Sequence, residues 1–363
     1  MKIALVHDYL NQYGGAERVL ESFCEIFPEA PIYTLFYDAQ KTLNKFEPKI
    51  KQTSFLNKKA VINNHRPFIP LMPLAAGQIN LKNEYDVILS SSSSFGKGIK
   101  YDPKTFHITY CHTPLRYAWE YKNYFDWHPI VTLAATPAFW YLRNWDYRIA
   151  QRPNLILANS QYISHKIKKY YNRESEILYP PVDLKKFFRD RKIKKGGYFL
   201  IIGRMMTYKR FDLAIQAFNK LNLTLLVVGD GPELENLKKM ARSSKINFLP
   251  FVNTDEELRS LYNGADALIF PQVEDFGLVA AEAQACGTPV IAFSQGGASE
   301  IVKDNETGIL FHHQTVDDLV FAIKKFLLSS FDEKLIRESV GGFSKVKFKN
   351  KILKLVKENT HLV

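Results

Sequence analysis

The chain has 363 residues, 46% of them apolar and 24% charged, which fits a globular protein of two domains better than a single core. It contains no uninterrupted apolar run of about 18 residues, so no transmembrane helix is predicted. The net charge of +12 is concentrated early, with 25 Lys and Arg against 17 Asp and Glu in residues 1–190. Such an excess suits phosphorylated substrates or an anionic membrane surface. Nucleic acid is disfavoured, because no binding motif accompanies the charge. Cys24, Cys111 and Cys286 are scattered and lack metal-ligand spacing, which points to a reduced, cytoplasmic setting.

In chain order, Lys2–Asp8 reads as a buried parallel strand rather than a secretory signal. Gly14 and Gly15 precede a helix expected from about Ala16 to Phe27, with Val19, Leu20 and Phe23 on one face. The glycine pair is expected to permit backbone geometry that a Cβ would forbid. Pro31–Phe36 is a second strand. Residues 40–85 look irregular, with Pro67, Pro70 and Pro73 breaking any long helix. Tyr85–Ser90 is a strand that runs into the serine tract Ser90–Ser94, whose small residues are expected to leave room for a ligand. Phe106–Tyr110 is another strand and delivers His112 and Arg116 just past its end. A helix rich in Trp and Tyr follows over 133–150, and aromatic and basic residues interleave from Tyr117 to Tyr147. Asn154–Asn159 is a strand, and Ser160 caps a helix over Gln161–Tyr171. The polar, basic run Lys185–Lys195 is expected to be the linker, with the domain boundary near 190.

The second half opens with the strand Tyr198–Ile202 and then Gly203, Arg204, Lys209 and Arg210 before a helix from Phe211. Arg204 can bond a phosphate through two nitrogens and Lys209 adds a point charge, so this turn reads as an anion site. Arg210 is expected to be a solvated neighbour. Leu223–Val228 runs into Gly229-Asp230-Gly231-Pro232, which is not GxGxxG and weakens a nicotinamide dehydrogenase reading. Asn247–Phe251 is a further strand.

Residues 265–302 carry most of the functional signal. A strand at Ala267–Phe270 leads to a polar loop holding Glu274, then a short helix from about Gly277 to Ala285 holding Glu282. A buried strand follows at Val290–Phe293, closed by a turn at Gly296 and Gly297. An unpaired carboxylate among the alanines of that helix would be costly if buried, so Glu282 is expected to face a cleft and accept hydrogen bonds from hydroxyl groups. Helix-start amides near Gly277 and Leu278 favour anionic groups. Together these features suit a polyhydroxylated, phosphorylated ligand such as a sugar nucleotide. Gly308–Phe311 is a last strand, with helices over Thr315–Leu327 and from Phe343 to about Lys357.

The Glu-x7-Glu spacing of Glu274 and Glu282, followed by ACGTPVIAFSQGGASEIV, resembles the donor site of retaining GT-B glycosyltransferases of family 4. The resemblance implies an α/β fold of two Rossmann-like domains facing across a cleft. Residues 1–190 would bind the acceptor and 191–342 the donor, with the C-terminal helix, 343–363, crossing back to the first domain. Donor binding would then involve Gly15, Phe251, Phe276, Gly277, Leu278 and Glu282. Catalytic roles would fall to His112, Glu274, Arg204 and Lys209, and acceptor-side roles to Gly14, Glu17 and Arg116. Glu274 would hold the transferred sugar, Glu282 the ribose, and Arg204 with Lys209 the diphosphate. The resemblance implies no cofactor and no metal, and it assigns no general base.

The string Cys111–Tyr121 looks like bacterial O-antigen mannosyltransferases, which implies GDP-mannose as donor and a lipid-linked saccharide as acceptor. The protein would then sit in the cytoplasm or peripherally on the inner face of the cytoplasmic membrane. UDP-sugar donors fit the second-half motifs equally well. A sugar-nucleotide epimerase, a phosphorylase relative and a non-catalytic partner subunit remain as alternatives. No pyridoxal phosphate lysine motif supports the phosphorylase.

Overall fold

The computed structural model describes residues 1–81, 84–121, 129–252 and 254–360, with the side chains of 129–134 and 360 outside that description. The chain forms two compact units, Met1–Pro181 together with the chain from Val346 onward, and Val182–Lys345. Among the described residues no helix is long and apolar enough to cross a membrane.

The strands of the first unit are β1 Ile3–His7, β2 Ile32–Thr34, β3 Ile50–Gln52, β4 Asn80–Leu81, β5 Val87–Ser92, β6 Lys100–Tyr101, β7 Phe106–Cys111, β8 Leu155–Ala158 and β9 Glu176–Ile177. Seven of them make one parallel sheet in the order β3-β2-β1-β5-β7-β8-β9, while β4 and β6 pair separately. β1 and β5 are buried on both faces, so they read as near-continuous runs of small and apolar residues. Helix Gly15–Ile26 buries Val19, Leu20 and Phe23 against this sheet. From Val346 the C-terminal helix belongs to the same unit, and its Phe348, Ile352, Leu355 and Val356 complete that core. The Phe348 ring lies 5.7 Å from both Phe23 and Tyr110.

In the second unit β10 Tyr198–Ile202, β11 Thr224–Val228, β12 Ile246–Leu249, β13 Ala265–Phe270, β14 Val290–Phe293 and β15 Gly308–Phe311 form one parallel sheet. Their order is β12-β11-β10-β13-β14-β15. Helices Phe211–Lys220 and Val316–Leu327 bury apolar faces in the core of this sheet, and Thr315 caps the second by accepting from Asp318 N.

Among the described residues of 40–85 no long helix forms: Pro67 and Pro73 sit in the first turns of short helices, Arg66–Leu71 and Met72–Gln78, where no amide donor is needed. Two expectations change. Residues 185–195 are no free linker but part of the second unit. Phe187 packs its ring 6.0 Å from Tyr262, Arg189 bonds Glu333 at 3.0 Å and Asn263 at 3.2 Å, and Lys195 donates to the Ala265 carbonyl. The aromatic helix is longer than expected, Pro129–Ala150, and residues 122–128 of the basic aromatic stretch lie outside the described residues. Its Asp146 is enclosed and pairs with the equally buried Lys97 at 2.7 Å. Tyr171 and the Trp119 indole both donate to its other oxygen at 2.8 Å, so the buried charge is paired on one oxygen and hydrogen-bonded on the other.

Phe348→Ala should lower the unfolding free energy of the protein by about 3–5 kcal/mol in urea, the usual cost of removing a buried aromatic ring. A loss below about 1 kcal/mol would show that the C-terminal helix does not complete the first core.

Candidate functional site

Counted from its first strand, the second sheet runs 3-2-1-4-5-6, so its order reverses between β10 and β13. Ligands of open parallel sheets gather outside the carboxyl ends of the strands at such a point. The loops leaving these two strands carry Arg204 and Lys209 on one side and Glu274 on the other. The structure brings Lys209 and Glu274 together: the ammonium and the carboxylate form an ion pair, both side chains only partly exposed. Gln272 donates to the same carboxylate at 3.4 Å. Arg204 is exposed, and Arg210 clasps Asp212 through two contacts of 3.1 and 3.3 Å, which leaves it a structural helix-start residue. Phe251, two residues past β12, is 58% exposed.

Glycines set this geometry. Gly229 has φ +136°, and a Cβ there would collide with the Gly203 carbonyl, so the loops after β10 and β11 can touch backbone to backbone. Met205 N then donates to Asp230 O at 2.8 Å. The Gly229-Asp230-Gly231 turn is thus a support for the Arg204–Lys209 loop. A second pair acts on the other side. Gly297 N donates to Glu274 O at 2.8 Å, and a Cβ on Gly297 would strike the Phe276 backbone. Glu274 through Phe276 are thereby pinned to the turn after β14.

Helix Leu278–Ala285 starts at Gly277, whose φ of +107° turns the chain from loop to helix. The amides of Leu278 and Val279 have no carbonyl one turn back, whereas those of Ala280 and Ala281 donate to the Gly277 carbonyl. Phe276 is buried, its ring edge-on to Phe343 at 5.2 Å. Where the sequence suggests that Glu282 opens onto a ligand, the structure encloses it: the residue is 3% exposed, and its carboxylate accepts the Tyr262 hydroxyl at 3.1 Å. The hydroxyl that satisfies it therefore comes from the protein.

The first sheet runs 3-2-1-4-5-6-7 and reverses between β1 and β5. Here the serine tract does other work than leaving space. Both oxygens of the buried Asp8 are taken up, by Ser92 Oγ at 2.7 Å, Ser93 N at 2.6 Å, Ser93 Oγ at 3.0 Å and Gly96 N at 2.6 Å. Burial alone would raise this carboxyl, but His7 and these hydrogen bonds outweigh it and hold it below the usual range. Ser91 Oγ joins two imidazoles, His7 Nδ1 at 3.2 Å and His112 Nε2 at 2.8 Å. His7 Nε2 lies 3.6 Å from Glu17, which is 3% exposed and accepts the Gly14 amide at 2.8 Å. Glu17, His7, Ser91 and His112 thus form one chain across three strand ends. Sequence reasoning missed His7, Asp8 and Ser91; two polar residues closing an otherwise apolar strand were the available signal. Gly14 is extended, and neither it nor Gly15 has positive φ, so the pair caps a helix without needing glycine-only geometry. Arg116 begins the short helix Arg116–Trp119 after β7 and is partly exposed.

Two parallel sheets, each reversing order beside its first strand and each with polar side chains at that reversal, define the class as a double Rossmann-like protein of the GT-B type. Residues 13–186 match the model of glycosyltransferase family 4, and residues 183–339 match that of the group 1 glycosyl transferases. The chain belongs to the group 1 glycosyltransferases, with a first half of the family 4 kind. D-inositol 3-phosphate glycosyltransferase of Mycobacteroides abscessus is 29% identical over 226 residues, covering 55% of this chain and 50% of that protein. The chain thus spans about half the length of this curated relative. Anabaena HepE, solved with UDP, superposes with a TM-score of 0.74 at 18% identity, covering 99% of this chain and 100% of that one. Sucrose-phosphate synthase of Thermosynechococcus elongatus does so with a TM-score of 0.75 at 17% identity, covering 100% of both chains.

Burial, followed by the nearby His7, pushes the His112 imidazole down to about 3 from an ordinary 6.5. Burial does the same to the fully enclosed His107. Both rings stay neutral in the folded protein, while the unfolded chain takes up their protons near pH 6.5. Stability should therefore fall as pH drops from about 6.5 towards 3, by about 1.4 kcal/mol per pH unit for each ring. Histidine NMR should show no titration of His112 between pH 5 and 8, and a ring that titrates near 6.5 would contradict this.

Proposed function

We propose that this chain is a retaining glycosyltransferase that moves a hexose from a nucleoside diphosphate sugar to an acceptor hydroxyl. One observation carries the reading: Lys209 and Glu274 meet at the strand-order reversal of the second sheet, with Glu274 four residues before the start of helix Leu278–Ala285. A cation and amides there suit a diphosphate, and a carboxylate within reach suits sugar hydroxyls. Family membership supports the same chemistry.

In this mechanism the bond from the anomeric carbon to the leaving phosphate oxygen breaks, and a bond to the acceptor oxygen forms on the same face. The acceptor proton passes to the leaving phosphate, so no side chain is required as base. Arg204, Lys209 and the amides of Phe276, Gly277 and Leu278 offset the growing charge on the diphosphate, and no metal is assigned. Glu274 holds the sugar and steadies positive charge at the anomeric carbon. The neutral His112, fixed through Nε2 by Ser91, is assigned to the sugar, and Arg116 to the acceptor. Glu282, enclosed with Tyr262, acts on the ribose only if that pair opens; otherwise it supports the helix.

For the donor we assign GDP-mannose, on the resemblance of Cys111–Tyr121 to O-antigen mannosyltransferases. The acceptor is then a saccharide on a lipid carrier, reached from the cytoplasmic membrane face. The basic first half and exposed side chains such as Trp140, 69% exposed, support that placement. A UDP-sugar donor is the second reading, favoured by the UDP and UDP-glucose complexes of HepE.

The purified protein should give thermal shifts or saturation-transfer signals with GDP and GDP-mannose in EDTA, weaker ones with UDP and UDP-glucose, and none for Arg204→Ala. Selectivity for UDP would overturn the mannose assignment, and no response to any nucleotide would overturn the enzyme reading.

A further inference from the structure

The basic run Lys185–Lys195 plays no part in the mechanism above, yet it lines a hollow of its own in the second unit. It holds seven basic residues against one acid. Together with helix Glu333–Ser339 it borders a space of about 550 Å³, within the roughly 300–1,000 Å³ of small-ligand sites. Arg189, Arg191, Lys334 and Arg337 bring four cations to it. Asp332, Glu333 and Glu338 bring three carboxylates, so every lining side chain is charged. A Cβ built on Gly287 would meet Arg337 Cδ at 3.6 Å and Arg189 Cδ at 3.7 Å, so the two stems converge over that glycine. Gly287, with φ +78°, follows helix Leu278–Ala285. The hollow thus lies at the tail of that helix, whereas Glu274 precedes its head.

The cations outnumber their partners. Arg189 is fixed: its side chain is 14% exposed, and Nε donates to Glu333 at 3.0 Å. Its Nη1 donates to the Asp190 and Ile193 carbonyls and to Asn263 Oδ1 at 2.8, 2.9 and 3.2 Å. Among the described residues its Nη2 has no acceptor, and neither do the guanidinium groups of the exposed Arg191 and Arg337. The carboxylates, in contrast, are engaged. Glu333 holds Arg189, Asp332 accepts Lys334 N at 2.7 Å, and Glu338 lies 3.9 Å from the Lys334 ammonium. What the lining offers to a ligand is therefore a set of guanidinium donors, which match phosphate oxygens in pairs. Each carboxylate still has lone pairs for hydroxyl donors. No aromatic or aliphatic side chain lines the hollow, so a nucleobase or an acyl chain would find nothing to pack on.

We propose that this hollow binds a sugar phosphate, a ligand that is polar throughout. Its phosphate meets Arg189 Nη2, Arg191 and Arg337, and its hydroxyls meet the carboxylates of Glu333 and Glu338. The site is separate from the donor site, since none of its residues is given a part in the transfer, and it does not rest on the glycosyltransferase reading. A ligand seated there bridges the basic run to helix Glu333–Ser339, two segments already joined by the Arg189–Glu333 pair. Binding to the folded chain alone also raises its melting temperature.

The test is calorimetric titration of the full chain with a hexose 6-phosphate, set against the free hexose and inorganic phosphate. The hexose phosphate should bind at least tenfold tighter than phosphate, and the free hexose should give no signal. Arg191→Ala and Arg337→Ala should each weaken the hexose phosphate tenfold or more, and Arg337→Lys should weaken it less. Both arginines are exposed, so the unliganded variants should melt within about two degrees of the parent. Hexose phosphate should raise the melting temperature of the parent more than that of either alanine variant. No binding of hexose phosphate would overturn the proposal. So would binding that both alanine variants leave unchanged, because the probe would then be held elsewhere, as at the diphosphate site. Equal affinity for inorganic phosphate would overturn the sugar phosphate as the ligand. Titration with a nucleoside diphosphate, run separately, reports on the glycosyltransferase reading alone.

Discussion

Close approach of neighbouring strand-end loops is the constraint on which the second unit depends. A side chain at Gly229 would push the Gly203–Lys209 loop off its neighbour, and one at Gly297 would push Glu274 and Phe276 off the turn after β14. With both contacts intact, Lys209 and Glu274 are delivered to one place from two strands that are adjacent in the sheet but far apart in sequence. An ion pair this close to the surface contributes little to stability. On the proposed reading its value is positional: a cation offered to phosphate and an anion offered to hydroxyls are held side by side, and an incoming diphosphate would compete with Glu274 for Lys209.

The first unit solves a different problem with the same topology. Its sheet also reverses beside the first strand, but the reversal is lined by buried polar groups rather than by exposed charge. Asp8 is surrounded by donors, and the Glu17–His7–Ser91–His112 chain fixes the ring of His112 through one nitrogen. A ring held neutral and oriented in this way presents hydrogen bonds without adding charge.

Much of this was legible before any coordinates. Parallel strands buried on both faces betray themselves as short apolar runs, and the helix over Gln161–Tyr171 with its Ser160 cap is found where its signals place it. Arg204, Lys209 and Glu274 stand out in the sequence because they lie in the loops that follow such strands. What stayed hidden depended on distant partners. Glu282 looks like a ligand-facing acid until Tyr262, twenty residues earlier, is seen to satisfy it. The serine tract reads as small and featureless, because its role lies in donors to Asp8 more than eighty residues away. Lys185–Lys195 reads as a linker by composition, yet Arg189 is locked by Glu333 and Asn263 across the unit. Pattern reveals elements, and burial of polar groups requires the fold.

The most direct test of the central claim separates the two halves of the Lys209–Glu274 pair by calorimetry with a nucleoside diphosphate and with its sugar conjugate. Lys209→Ala should weaken both ligands tenfold or more. Glu274→Gln should leave the diphosphate as tight or tighter, since Lys209 loses its competitor, while removing the extra affinity contributed by the sugar. If Glu274→Gln instead weakens the diphosphate as much as Lys209→Ala does, the pair acts only as a structural clasp and the division of labour between phosphate and sugar is wrong.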